Sequence, residues 1–327
     1  MNDYASEAKS RKSKEKIEIV DQKTIKFSKG NLSVYVNVER GIEIARVLEE
    51  SFINGVKIFS NTQNLIENQV PEGVRPLSKE HILFLFYIVP LDYLMKSELL
   101  YNRAKIMFKE RPELFDPSYI ANTFNDAKLQ ELANILQKYL GVRFPFEAAN
   151  RWYRNSLLLL RSYQGDPRNI FKDITNARNL FERITQFRGL GRKTGNMLLR
   201  CLIDLGVAKV DNINDILPPV DIHDVRIAFR TKIAYSKEYS EENARKFTRI
   251  IQDVWSYVCK KGSLNWLKVD RALWLLGSNG CTKKNCKNCP INNFCNRFVQ
   301  ETAYISEEQE AFMAENTVID YALDLLV

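Results

Sequence analysis

Four cysteines near the C-terminal end are the residues whose spacing points most directly to chemistry: Cys281, Cys286, Cys289 and Cys295. The pattern Cys-x4-Cys-x2-Cys-x5-Cys offers four thiolates in one short loop, which suits either a tetrahedral zinc ion or a cubic iron–sulfur cluster. Zinc sites with four cysteines usually contain two Cys-x2-Cys pairs, and this loop contains one. Cys201 and Cys259 stand alone among apolar residues, so we expect them to be ordinary buried thiols.

A glycine-containing turn between two helical patterns is the second chemical motif, and it reads Phe187-Arg-Gly-Leu-Gly-Arg-Lys-Thr-Gly195. Gly189 and Gly191 allow a tight turn, whose N–H groups then stand at the start of the next helix and attract a phosphate. This pattern is typical of a helix-hairpin-helix, which grips the DNA backbone without reading sequence. A plain helix C-cap is the alternative. A nucleotide-binding P-loop is excluded, because Arg192 separates Gly191 from the lysine that would follow it.

The elements that must position these groups are mostly helices, because apolar residues recur at helical spacing from residue 40 onward. Before them, three β-branched segments with a Lys-Gly-Asn turn at 29–31 predict one small β-hairpin. The spacing predicts helices over 78–89, 91–111, 117–123, 129–139, 146–162, 177–187, 193–205, 241–258 and 264–276.

Composition limits the class of protein. The 327 residues suggest about two domains, and the net charge of +8 favours a polyanionic partner, either nucleic acid or an anionic membrane surface. The longest apolar run, 82–91, is much shorter than the about 20 residues that cross a bilayer. The N-terminal residues include no apolar signal core. We therefore expect an intracellular protein without a membrane partner, in the cytoplasm or nucleoid, or in the nucleus of a eukaryotic source.

Taken in order, these motifs resemble the endonuclease III branch of the helix-hairpin-helix DNA glycosylases over residues 78–297. The family hairpin reads Leu-Pro-Gly-Val-Gly-Arg-Lys-Thr-Ala, close to residues 187–195 here. The family then has Val-Asp-Thr-His-x-x-Arg, and residues 220–226 read Val-Asp-Ile-His-Asp-Val-Arg. Residues 152–156 are similar to the start of the family's Tyr-x-x-Lys-Ala helix, and 273–277 to its approach to the cysteine loop.

The resemblance implies a mainly α fold in which two helical domains flank a DNA-binding cleft. One is a six-helix barrel that contains the helix-hairpin-helix, and the other is an iron–sulfur cluster domain; a small N-terminal β-hairpin precedes them. The implied parts are a basic tail and β-hairpin over 1–39, an N-terminal helix that packs with the C-terminal domain over 40–77, the six-helix barrel over 78–210, the cysteine-loop domain over 211–299 and a C-terminal tail over 300–327.

The resemblance also implies a base-excision DNA glycosylase with AP lyase activity, acting as a monomer on double-stranded DNA with a flipped damaged or mismatched base. Lys193 becomes the nucleophile and Asp221 its acidic partner, because a carboxylate stabilises positive charge on the deoxyribose and a neutral amine forms a Schiff base. Asp224 is the competing acid, and Asp221 reads equally well as a helix N-cap. The cysteine loop becomes a [4Fe–4S] site, with zinc as the alternative. The implied DNA contacts are Gly189, Gly191, Arg192, Thr194 and His223.

Two departures from the family limit what carries over. Four residues lie between the first two cysteines, where the family has six. The family's base-probing Gln-Ala-Thr-Asp segment here reads Val-Pro-Leu-Asp-Tyr at 89–93, with only Asp92 retained. The sequence therefore does not predict which base is excised. A glycosylase without lyase activity and a non-catalytic DNA-binding protein are the alternative functions.

Overall fold

The computed structural model of the protein describes residues 16–21, 23–92, 96–297 and 319–321. The predicted basic tail before residue 16 and most of the predicted 300–327 tail lie outside the described residues, as does Tyr93. The described chain is mainly helical, as predicted. Within it, no helix combines the length and the apolar character that crossing a membrane requires.

Eleven α-helices account for nearly half of the described chain, and their positions follow the predicted pattern closely. Two predicted helices start late. The helix predicted from 91 begins only at Ser97, whose hydroxyl donates to the carboxylate of Asp92. The helix predicted from 241 begins at Thr248, because Ser240 and Asn243 hydrogen-bond each other's backbone in a local turn. The helices are α1 (Val38–Ile53), α2 (Lys79–Ile88), α3 (Ser97–Glu110), α4 (Pro117–Thr123), α5 (Leu129–Leu140), α6 (Pro145–Tyr163), α7 (Ala177–Thr185), α8 (Arg192–Asp204), α9 (Ile222–Arg230), α10 (Thr248–Gly262) and α11 (Trp266–Leu275).

The predicted N-terminal hairpin is present and forms the centre of a larger antiparallel sheet. Strands β2 (Thr24–Lys29) and β3 (Leu32–Asn37) pair around Gly30, whose φ of 62° is the left-handed conformation that favours glycine. The other strands are β1 (Lys16–Ile19), β4 (Ala234–Tyr235) and β5 (Ile319–Tyr321), in the order β4-β3-β2-β1-β5. Strands β4 and β5 are two and three residues long and come from distant parts of the sequence, so they leave no local strand signal.

The sheet packs against helices instead of standing apart from them. Val34 and Val36 of β3 are fully buried, and the ring of Phe27 meets Tyr257 of α10 edge-on at 5.7 Å between centroids. Helix α1 in turn packs on α10 and α11, where Gly41 lies against Val258. The helix predicted over 40–77 thus contacts the C-terminal helices.

An aromatic core joins the helices between α2 and α6. The indole of Trp152 stacks on Tyr87 at 4.4 Å between ring centroids and donates to the carbonyl of Leu114 at 2.8 Å. The Tyr87 hydroxyl shares a 2.6 Å hydrogen bond with Ser156. Helix α8 packs on α7 and on residues 89–91, while α9 packs on α10 and α11. The two helices that carry the predicted catalytic pair are therefore each fixed by a different set of neighbours.

A buried ion network that the sequence did not indicate connects these sets. Arg200 of α8 pairs with Glu67 at 3.2 Å and with Asp270 of α11 at 3.0 Å, and Arg271 pairs with Glu67 at 2.7 Å and with Asp204. Three carboxyl groups thus face two guanidinium groups. Burial, with the charges of Glu67 and Asp221, raises the pKa of Asp270 to about 7 against the attraction of Arg200.

Replacing Asp270 with asparagine should change the pH dependence of stability. The folded protein keeps a proton on Asp270 that the unfolded chain loses, so this group lowers stability as pH rises from about 4 to about 7. Asparagine mimics the protonated form, and Asp270→Asn should therefore flatten this decline. Urea unfolding at about pH 5 and about pH 8 measures it. Asp211→Asn, at an exposed loop position, is the control; a wild-type decline retained in Asp270→Asn would contradict the assignment.

Candidate active site

The turn between α7 and α8 is a helix-hairpin-helix turn, and two observations show why it needs glycine at position 189. Gly189 has a φ of 82°. A Cβ atom there would lie 2.9 Å from Cδ of Arg151 and 3.1 Å from Cβ of Pro90. Leu190 points inward and is 1% exposed. The backbone thus turns over a buried leucine, as the sequence predicts for this motif.

Thr194 closes the turn from inside. Its hydroxyl donates to the carbonyl of Gly189 at 2.6 Å and accepts from the N–H of Gly191 at 3.2 Å. Gly195 lies where a Cβ atom would come within 3.2 Å of the Leu190 carbonyl oxygen, so the two helices approach closely here. Gly191 and Thr194, predicted as DNA contacts, therefore serve first to shape the loop.

Asn155 of α6 fixes the other side of the turn. Its amide donates to the carbonyl of Arg188 at 3.0 Å, and its oxygen accepts from the N–H of Arg188 at 2.8 Å. The Arg188 side chain is exposed. The similarity of residues 152–156 to the family thus has a physical counterpart, because this helix holds the hairpin backbone in place.

Lys193 and Arg192, adjacent at the start of α8, point to different environments. The Lys193 side chain is exposed, whereas the guanidinium of Arg192 bonds Gln252 and Asp253 of α10. The Gln252 amide also donates to the carbonyl of Pro218 at 2.5 Å. Gln252 therefore links the residue before Lys193 to the loop that leads into Asp221. The predicted DNA contact by Arg192 would compete with this internal pair.

Asp221 is the N-cap of α9, which confirms the capping interpretation. Its carboxylate accepts from the N–H of His223 at 2.7 Å, and its own N–H donates to Asp224 at 2.6 Å. The Asp221 side chain stays partly exposed, while Asp224 is buried. Burial and then the negative charge of Asp221 raise the pKa of Asp224 well above its ordinary value. The competing acid is thus the buried partner in the cap.

Lys193 and Asp221 share one electrostatic environment. Each acts on the same three carboxyl groups: Asp92, Asp224 and Asp270. Burial raises the pKa of Asp92, the Ser97 hydroxyl and the charge of Lys193 oppose the rise, and the charge of Asp221 adds to it. Lys193 and Asp221 thus both act on Asp92, and their roles as a catalytic pair stay a prediction. Sequence reasoning noted Asp92 as a retained family residue but assigned it no role, and it gave no signal for Gln252.

The four cysteines of the loop line one cavity of about 100 Å³, together with Arg230 and Lys284. Within the described chain, no three His, Cys, Asp or Glu side chains form a group that could hold a metal ion. His223 packs against Gly277, where a Cβ atom would lie 2.6 Å from that of the histidine, so the turn before Cys281 is close to α9. Cys201 and Cys259 are buried, as predicted.

Comparison with known proteins gives likenesses among solved structures. No protein-family model matches the sequence, and no curated protein matches it. A structure of a trapped endonuclease III–DNA covalent intermediate has 17% identity and a TM-score of 0.45, covering 79% of this chain and 96% of that one. A thermostable thymine-DNA glycosylase has 12% identity and a TM-score of 0.46, covering 80% of this chain and 98% of that one.

Removing the Asn155 amide should loosen the hairpin. Asn155→Ala leaves the buried N–H and carbonyl of Arg188 without this partner, which should lower the free energy of unfolding by about 1–3 kcal/mol. Denaturant unfolding measures the loss. Asn134→Ala, at an exposed position on α5, should cost much less. Equal losses in the two variants would show that Asn155 does not hold the turn.

Proposed function

We propose that the protein is a base-excision DNA glycosylase with AP lyase activity, an intracellular monomer that acts on double-stranded DNA with a flipped damaged or mismatched base. The observation that carries the proposal is the shared environment of Lys193 and Asp221 beside a helix-hairpin-helix turn. An amine and a carboxylate at one gap next to a phosphate-binding loop are the groups that a glycosylase with lyase activity needs.

The hairpin would hold the DNA by its backbone. A Cβ atom at Gly191 would have nothing within 4 Å and Leu190 is buried beneath the turn, so a phosphate can approach the main chain closely there. The first N–H groups of a helix have no partners within the helix and favour an anion. The net charge of +8 supports a polyanionic partner. A phosphate held at this turn would bring the neighbouring nucleotide to Lys193.

The reaction itself would use both side chains. As the bond between C1′ and the base breaks, positive charge develops on the deoxyribose, and the Asp221 carboxylate stabilises it. The Lys193 nitrogen bonds to C1′ as the base leaves with the electrons of the broken bond and gains a proton. The nitrogen then gives up one proton, the C1′–O4′ bond breaks and O4′ is protonated. The sugar ring is thereby opened, and C1′ is held by Lys193 as a protonated Schiff base. The resulting Schiff base acidifies the C2′ hydrogen, so loss of that proton expels the 3′ phosphate. The attacking amine must be neutral, and contact with DNA would exclude water from the exposed Lys193.

Borohydride trapping tests the proposal. Wild-type protein should form a covalent adduct with a duplex that holds an abasic site, and Lys193→Gln should form none because the amine is gone. Asp221→Asn should keep the fold and slow base removal by about 100-fold or more. Lys209→Gln, at an exposed lysine just beyond α8, is the matched control and should trap normally.

The other outcomes separate the alternative functions. Cleavage of damaged DNA without trapping would leave a glycosylase and refute the lyase activity. Neither cleavage nor trapping across a panel of single-lesion duplexes would leave a non-catalytic DNA-binding protein. The same panel identifies the base that is excised.

We also propose that the cysteine loop holds a [4Fe–4S] cluster rather than zinc, with all four cysteines as ligands. The thiols line one cavity, and the loop contains a single Cys-x2-Cys pair, whereas zinc sites with four cysteines usually contain two. A cube distributes its ligands over separate irons and so accepts wider spacing. Bound there, the cluster would cross-link the loop and supply a one-electron centre. Arg230, on the cavity wall, would offset its negative charge.

The metal content is the direct check. Protein purified without oxygen should be brown and contain about four irons per chain. Cys286→Ser should reduce the iron content and visible absorbance, whereas Cys259→Ser, at a buried cysteine outside the loop, should leave both unchanged in its folded fraction. An iron-free protein with one zinc per chain would contradict the cluster.

A further inference from the structure

The start of α10 presents a basic surface that the proposed catalytic site does not use. Arg245, Lys246 and Arg249 are exposed, on the short helical turn before α10 and on its first turn. Among the residues that the structure describes, none of these three side chains has an ion-pair partner. We call these three residues the α10 basic surface.

This surface adjoins the helix-hairpin-helix turn. Gln252 and Asp253, which bond Arg192 at the start of α8, follow Arg249 by one helical turn on the same side of α10. One turn advances about 5.4 Å along the helix, and successive phosphates of one DNA strand are about 3.4 Å apart along the duplex axis. A backbone held at the hairpin would therefore have its next phosphates within reach of Arg249.

Neighbouring acids do not cancel the positive charge. Asp253 is 7% exposed and is shared by Arg192 and by Lys29, whose Nζ lies 3.3 Å from its carboxylate. Glu241 is engaged by Arg226 at 2.9 Å and by Arg230 at 2.8 Å. Glu242 is one exposed carboxylate, three residues before Arg245.

Lys29 also connects the surface to the N-terminal sheet. It ends β2 at the exposed β2–β3 turn, and its bond to Asp253 fixes that turn beside α10 and Arg192. Strands β1, β2, β3 and β5 of the sheet lie outside residues 78–297, over which the sequence resembles the glycosylase family. Its tip therefore helps to hold α10 in the orientation that presents the basic surface next to the hairpin.

We propose that the α10 basic surface is a second binding site for the DNA backbone, continuous with the hairpin, in which Arg245, Lys246 and Arg249 contact phosphates. It rests on the proposed function, because the DNA gripped at the hairpin is the ligand. The contacts would lengthen the bound stretch of DNA without reading its sequence, since they involve phosphates alone.

The salt dependence of DNA binding tests this surface. The probe is a duplex with one tetrahydrofuran abasic analogue, and fluorescence anisotropy gives its Kd at several KCl concentrations. Each phosphate contact contributes about 0.9 to the slope of log K against log salt. The double variant Lys246→Ala/Arg249→Ala should bind more weakly at low salt, with a slope that is about 1.8 smaller than that of wild type.

The matched control removes two lysines from the other end of the same helix. Lys260 and Lys261 are exposed and lie about 16 Å along α10 from Arg249, so Lys260→Ala/Lys261→Ala should leave the slope unchanged. Equal changes in both double variants would reflect net charge alone and overturn the surface. Normal wild-type binding with an unchanged slope in Lys246→Ala/Arg249→Ala would also overturn it, and would leave the proposed function standing. Failure of the wild-type protein to bind the duplex would refute the proposed function instead.

Discussion

The double anchorage of Arg192 by α10 is the interaction on which the geometry of the site depends. Helix α8 carries Lys193 in its first turn and α9 is capped by Asp221, and the two helices pack against different neighbours, so nothing local in either helix sets the distance between them. Gln252 does so by accepting from Arg192 and donating to the carbonyl of Pro218, and Asp253 adds a charged partner. Because its amide donates and accepts at once, Gln252 links the Arg192 side chain to the backbone at Pro218, which an ion pair alone would not do.

The buried ion network is a second constraint on the candidate site. Five ionisable side chains are buried together between α8, α11 and residues 66–68, with one more acid than base. Such a network contributes little net stability, because desolvation offsets the attraction, but removal of either arginine leaves buried carboxylates without a compensating charge. Its surplus negative charge lies close enough to Asp221 and Lys193 to interact with both. The ionisation of the site is thus coupled to the packing of the core.

Local patterns in the sequence predicted most of the helices, the glycine turn and the capping role of Asp221. These features depend on neighbours within a few residues, such as the bond from Thr194 to Gly189. The sequence did not predict the strands β4 and β5, the bridge through Gln252 or the occupation of Arg192 by Asp253. Each of these depends on residues at least 34 positions apart, where one sequence shows no periodicity to read. Arg192 is the clearest example. Its place in the motif predicted a contact with DNA, whereas its partners in the structure lie on α10.

The two-residue strand β4 follows α9 after a short turn and pairs with β3, so the first strands of the chain and the segment behind the candidate acid share one sheet. A chain shortened to start at α1 would lose more than an appendage. It would uncover the apolar face of α10 around Tyr257 and leave β4 without the strand with which it pairs. It would also remove Lys29, which forms an ion pair with Asp253. The N-terminal strands are therefore part of the packing that holds α10 and β4 in place.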